Sequence, residues 1–463
     1  MTLRRGRWLL ALVGPLVATA ALVAEDAATE DAATEDVATE GAAAKDVPKE
    51  NLCIICHGDA EVMEGEMKRF HVTEKQLAKD IHWRRGLRCN DCHGGDPGIL
   101  DFRQAHSEDA GFRTIKTPAD IPEFCGHCHS NIEIMRQYDP SPRVDQVTKY
   151  WTSGHGQRLK QDNDDKVATC VSCHGHHGIR AVDDLNSPVY PTNVAKTCAH
   201  CHADAKLMEG RVYHDRPLGH GQPELWSKSV HARALLEDHD LSAPTCNDCH
   251  GNHGALPPDV DSVTNACGSC HVKIAQLFSK TLMQHRFTST ELPGCATCHG
   301  YHEIRSPSDE MLGMGGGAVC APCHESGQHG ATLAGATVAR QMRIGLENLK
   351  SKIASAESKL DDAERLGMEI RAPRFRLREA NDALTNSRTF VHSFAIEPMK
   401  ESLDKGLEVA TEVEQKAVEA LREHTRRRIW LAISMVPILI VVGILFLYIR
   451  TLPPPSNEGG ALH

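Results

Sequence analysis

Residues 170–177 read Cys-Val-Ser-Cys-His-Gly-His-His, and residues 246–253 repeat the frame as Cys-Asn-Asp-Cys-His-Gly-Asn-His. Their shared core is C-x-x-C-H, which puts two thiols and an imidazole on one turn of chain. Working outward, the pentapeptide starts nine times, at Cys53, Cys89, Cys125, Cys170, Cys198, Cys246, Cys267, Cys295 and Cys320. Its second cysteines are Cys56, Cys92, Cys128, Cys173, Cys201, Cys249, Cys270, Cys298 and Cys323. Its histidines are His57, His93, His129, His174, His202, His250, His271, His299 and His324. All 18 cysteines are used. Chance would supply about 0.04 such motifs, and C-x-x-C-H is the signature of c-type haem attachment.

The spacing has a chemical reason. Two thiols add to the two vinyl groups on one porphyrin edge, and the next histidine lies beneath the iron as proximal ligand. A disulfide framework would not place histidine after every second cysteine. Zinc sites pair C-x-x-C units, and nine units do not pair evenly. The sequence therefore implies nine covalent haems c.

Composition agrees. Aromatic residues make up 5% of 463 residues, and the region from Cys53 to His324 spends about 30 residues per motif. Side chains alone cannot build an ordinary core at that density, so porphyrins must form much of the interior. The expected fold is mostly α and irregular. A haem domain with little regular structure (51–330) is followed by a helical bundle (331–428), one transmembrane helix (429–449) and a short tail (450–463). The formal net charge of −11 argues against nucleic acid as a partner.

Both termini speak to location. Arg4, Arg5 and Arg7 precede an apolar run from Trp8 to Ala24 with small residues at Ala18 and Ala20. This reads as a signal peptide over 1–24. Residues 25–50 repeat Ala-Ala-Thr-Glu-Asp and carry a charge of −7, the composition of a disordered linker. Residues 429–449 hold no charge, end near Trp430 and Tyr448, and are long enough to cross a bilayer. Arg426, Arg427 and Arg428 lie on the haem side and Arg450 on the other, against the positive-inside rule. Haem attachment outside the cytoplasm outweighs that rule for a long exported domain. The expected location is the periplasmic face of the cytoplasmic membrane.

Between haems and membrane, three apolar stripes recur. Met342, Leu346, Leu349, Ile353, Ala356, Leu360 and Ala363 alternate by four and three, a heptad seam. Pro373 interrupts it. Leu377, Leu384, Val391 and Phe394 form a second stripe. After Pro398, Met399, Leu403, Gly406, Ala410, Val413, Ala417 and Ala420 form a third. Three helices in an antiparallel bundle follow, the third entering the membrane. The seam could close in one chain or between two, which leaves a homo-oligomer open.

The haem region repeats as a plain motif, a single histidine, then a motif extended to C-x-x-C-H-G-x-H. Candidate distal ligands are His71, His82, His106, His155, His177, His231, His253, His285 and His302. His127, His176, His200, His214, His220, His239, His329 and His392 compete. His392 stands apart in the bundle, and its reach to a haem is left open.

These motifs resemble the periplasmic tetrahaem and octahaem cytochromes with doubled C-x-x-C-H and C-x-x-C-H-G-x-H motifs, over residues 51–330. The resemblance implies stacked haem pairs in a conducting chain, H-G-x-H histidines as distal ligands, and electron transfer between the quinone pool or a membrane complex and periplasmic redox partners. Nine motifs, a degenerate first unit and a C-terminal anchor depart from the group. No catalytic residue is assigned. The alternative function is a multihaem reductase of small nitrogen or sulfur compounds with one open iron.

Overall fold

The computed structural model describes residues 51–453, apart from 214 and 259–261. The expected signal peptide, the acidic linker, most of the tail and His214 lie outside the described residues.

The haem region is a succession of short helices built on the motifs, such as Cys53–His57, Cys170–His174 and Cys246–His250. Local chemistry starts several of them. The third residue of the pentapeptide reaches back to the backbone N–H just before the first cysteine. Ser172 Oγ accepts from Thr169 N at 3.0 Å, and Asp248 Oδ2 from Thr245 N at 2.8 Å. Such reciprocal caps satisfy N–H groups that a helix start leaves orphaned. Glycine ends them: Gly175, Gly251 and Gly300 have φ of +82°, +86° and +80°, a region that residues with a Cβ avoid. The chain reverses there and carries the H-G-x-H histidine away from its own motif.

Strand is almost absent among the described residues. One antiparallel ladder pairs Val212 with Pro217 and Tyr213 with Arg216. Apolar packing in this region is confined to small clusters, such as Trp226, Ala232, Leu235 and Ala243, or Tyr150, Leu159 and Val167. A continuous cavity of about 2850 Å³ runs through residues 52–304, several times the ~300–1,000 Å³ of a small-molecule site. The interior is shaped for large cofactors.

The bundle holds the main side-chain core. Its helices span Leu333–Arg365, Arg371–Phe390 and Ile396–Thr451. The first seam is buried throughout, from Met342 to Ala363, and meets Leu377 and Leu384 of the second helix and Met399 to Ala417 of the third. Pro373 falls in the first turn of the second helix, where a missing N–H costs little. The third helix continues without a break through 429–449. Its most apolar stretch is wholly exposed, the opposite of a soluble core helix.

Candidate functional site

The site is built from imidazole pairs. Two imidazoles on opposite sides of one metal, each with a metal–nitrogen bond of about 2 Å, hold their ring centres roughly 6 Å apart. Eight motif histidines face a second histidine at that separation. The pairs are His57–His106 at 6.0 Å, His82–His129 at 5.9 Å, His93–His177 at 6.1 Å and His155–His202 at 6.1 Å. The others are His174–His253 at 6.3 Å, His231–His271 at 6.5 Å, His250–His302 at 6.0 Å and His299–His392 at 6.2 Å.

Seven of the nine sequence candidates therefore face a motif histidine. His71 faces no motif histidine among the described residues. The position opposite His57 is taken by His106, and His71 Nε2 bonds the Gly58 carbonyl at 3.2 Å. The nitrogen a metal would use is engaged. His392 takes the place opposite His299. Sequence reasoning left it open because the bundle, 93 residues past that motif, carries no repeat signal. His285 is exposed on the helix Leu282–Ser289 and faces no ring among the described residues. His324 likewise faces none.

Hydrogen bonds orient the rings. Nδ1–H donates to a backbone carbonyl in His57 (Phe70, 3.0 Å), His106 (Phe102, 2.9 Å), His250 (Leu256, 3.0 Å), His324 (Thr332, 2.8 Å) and His392 (Thr389, 3.1 Å). This leaves Nε2 free, the usual arrangement of a metal-bound histidine. His82 differs, because its Nδ1 bonds Asp80 Oδ1 at 3.2 Å. Burial holds His93 and His155 down to about 4. It also lowers His174, His177, His202, His253, His299 and His302. Neutral imidazoles are the form that binds metal.

The cysteines give the order of the motifs in space. The first thiols of motifs one and two, Cys53 and Cys89, lie side by side, as do Cys125 and Cys170, Cys198 and Cys246, and Cys267 and Cys295. Second thiols then link the pairs: Cys92 lies near Cys128, Cys173 near Cys201, Cys249 near Cys270, and Cys298 near both Cys320 and Cys323. Each motif thus lies beside the next one in sequence. After haem addition these sulfurs are thioethers and no longer titrate.

Paired thiols, facing neutral imidazoles and a connected cavity fit covalently bound haem. The chain is a multihaem c-type cytochrome, a class that carries electrons. The comparisons with known proteins agree. The Cytochrome c3 family model matches residues 237–325. The chain is 25% identical over 235 residues to the multiheme cytochrome MtrA of Shewanella baltica, covering 48% of this chain and 52% of that protein. It is 25% identical over 211 residues to the cytochrome c-type protein NrfB of Haemophilus influenzae, covering 42% of this chain and 71% of that protein. The chain spans about half the length of the first of these relatives. No solved structure matches it.

Proposed function

We propose that this chain is a membrane-anchored electron carrier of nine haems, each ligated by two histidines. It would relay electrons between a membrane donor, either the quinone pool or a membrane complex, and a periplasmic redox partner. The observation that carries the reading is the set of eight imidazole pairs, each spaced for one iron. Haem supplies a reversible one-electron change at its iron, with a potential set by axial ligands, burial and hydrogen bonding. The protein's part is to hold both imidazoles fixed, so that ligation barely changes with oxidation state.

A register rule supports the ninth site. The single histidines His82, His155 and His231 face the proximal histidine of the next plain motif, at His129, His202 and His271. His285 is the next in that series, and the rule assigns it to His324. The guanidinium of its neighbour Arg286 lies against Gly330, close to that site. The H-G-x-H histidines follow a second rule: His177, His253 and His302 face the second motif of the preceding unit, at His93, His174 and His250. Each such histidine ties neighbouring haem units together.

The periplasmic location rests on haem-attachment chemistry and on the leader read over 1–24. Anchoring rests on the exposed apolar helix at 429–449. Glu423 engages Arg426 and Arg427, and a long exported domain is translocated largely regardless of such flanking charge. The second reading, an oxidoreductase with one open iron, rests on His324, which no imidazole faces among the described residues. Haem quantification on the purified protein tests the count, with nine expected. EPR of the ferric protein and CO binding after reduction test ligation. All-low-spin signals without CO uptake support the carrier. One high-spin, CO-binding haem supports the enzyme.

A further inference from the structure

We propose that, at its membrane end, the protein exchanges electrons with a one-electron redox protein standing well above the bilayer, and that quinol dissolved in the bilayer does not reduce its haems directly. This deepens the proposed function and rests on reading 429–449 as the membrane span.

The argument is one of height. The third bundle helix is continuous from Ile396 to Thr451, and its exposed apolar stretch begins at Ile429. The 33 residues from Ile396 to Arg428 make a post of about 50 Å at 1.5 Å per residue. A tilt of about 20°, usual for spanning helices, removes only a few ångströms. Pro437, where a kink would be expected, is inside the span and not in the post.

The post is braced along its length. The first and third helices run parallel in a steady register. A Cβ at Gly345 would touch Leu403, one at Gly406 would touch Leu349, and Ser355 Oγ donates to Glu414 at 2.7 Å. Carried along, this register sets Leu333 level with Val391 and Arg365 level with Glu423. Lys352 and Lys359 both clamp Glu414. Buried Leu360, Ala363, Val413 and Ala417 seal the lower part.

The haem region joins this post near its top. His392 faces His299 just above the third helix. Phe278 meets Phe394 at 6.0 Å. His324 donates to the carbonyl of Thr332, the residue that caps the first helix. Asp309 pairs with Arg388 at 2.8 Å and with Lys350 at 3.6 Å. The helix that follows the seventh motif, with the eighth and ninth motifs, is therefore what is fixed to the post, at the end away from the membrane.

Quinol oxidation to quinone releases two protons and two electrons, and two ferric irons within tunnelling reach must take those electrons. Tunnelling decays exponentially with distance, and the post from Ile396 to Arg428 contains no cysteine, hence no attached haem to bridge it. A protein partner solves the problem. Its reduced centre, a haem or an iron–sulfur cluster, loses one electron, and one ferric iron at the top of the post becomes ferrous.

The test uses the full-length haem-loaded protein in phospholipid vesicles. Flotation with the vesicles is checked first; failure to float would overturn both the anchor and this inference. Haem reduction is then followed optically in vesicles with and without menaquinol. We expect no difference over the time in which dithionite reduces every haem. Menaquinol-dependent reduction would overturn the proposal while leaving the carrier reading intact. X-ray reflectivity at the iron edge on a supported bilayer gives a second readout, independent of activity. Iron is expected to begin tens of ångströms above the headgroups, and iron density against the headgroups would overturn the proposal.

Discussion

Asp80 shows how much one side chain can organise. It is 6% exposed. Its Oδ1 accepts from His82 N and Nδ1, and its Oδ2 accepts from the N–H groups of Gly178 and Ile179 at 2.8 and 2.9 Å. Gly178 follows His177, so one carboxylate positions the histidines facing both His93 and His129. Burial alone would raise its pKa, but the bonds from His82 and Ile179 hold it down to about 2. An anionic partner on Nδ1 makes an imidazole a stronger donor and favours ferric iron. Asp80→Asn should therefore raise the potential of one haem by roughly 50–100 mV, taking about 1.5–2 kcal/mol for a charge-assisted hydrogen bond; spectropotentiometry reads it, and an unchanged titration would refute the role. Histidine substitutions separate ligands from bystanders. His106→Ala and His392→Ala should each yield one high-spin, CO-binding haem, whereas His71→Ala should leave every signal low-spin.

At the scale of elements, the motif helix depends on its terminal glycine. Gly175 at φ +82° directs His177 toward the motif at Cys89, where it faces His93. Gly175→Ala should cost about 1 kcal/mol or more and perturb the EPR signal of the haem at Cys89, not only its own. In the bundle, the hydrogen bonds from Lys352 and then Lys359 hold Glu414 down to about 2, below its ordinary 4.5. A carboxylate with a lowered folded pKa stabilises the fold above its unfolded pKa, and that contribution is lost as pH falls toward the folded value. Helix melting followed by circular dichroism should weaken between pH 4.5 and 2. Glu414→Gln should melt lower at pH 6 and show a flatter response across that window. Equal melting of both proteins at pH 6 would show that the clamp adds nothing.

For the whole molecule, two physical systems meet. The haem region has small side-chain clusters and a connected cavity, so its folding should require haem. Protein made without haem attachment should lose protease resistance over residues 51–330 and keep it in the bundle, whose apolar seam closes on itself. Limited proteolysis with mass mapping measures this, and a protease-resistant haem-free region would overturn it. Each motif lies beside the next in sequence, so in the proposed nine-haem carrier the first and ninth sites would be the ends of the series. The bundle holds the ninth motif at the head of its first helix, where His324 donates to the Thr332 carbonyl.

The sequence by itself determined the attachment chemistry, because C-x-x-C-H fixes two thioethers and a proximal imidazole within five residues. It also determined the bundle, since a four-three apolar alternation has few other ways to be buried. The turns at Gly175, Gly251 and Gly300 that carry the next histidine clear of its own motif became visible in the structure, in their φ of +82°, +86° and +80°. Only the tertiary structure decided which imidazole faces which motif. A distal histidine is chosen by where the folded chain brings it, and the register that six of the pairs follow became readable only once the folded chain showed which rings meet. His392 therefore stands opposite His299 across 93 residues, while His71, only 14 residues past His57, spends its ring nitrogen on the Gly58 carbonyl.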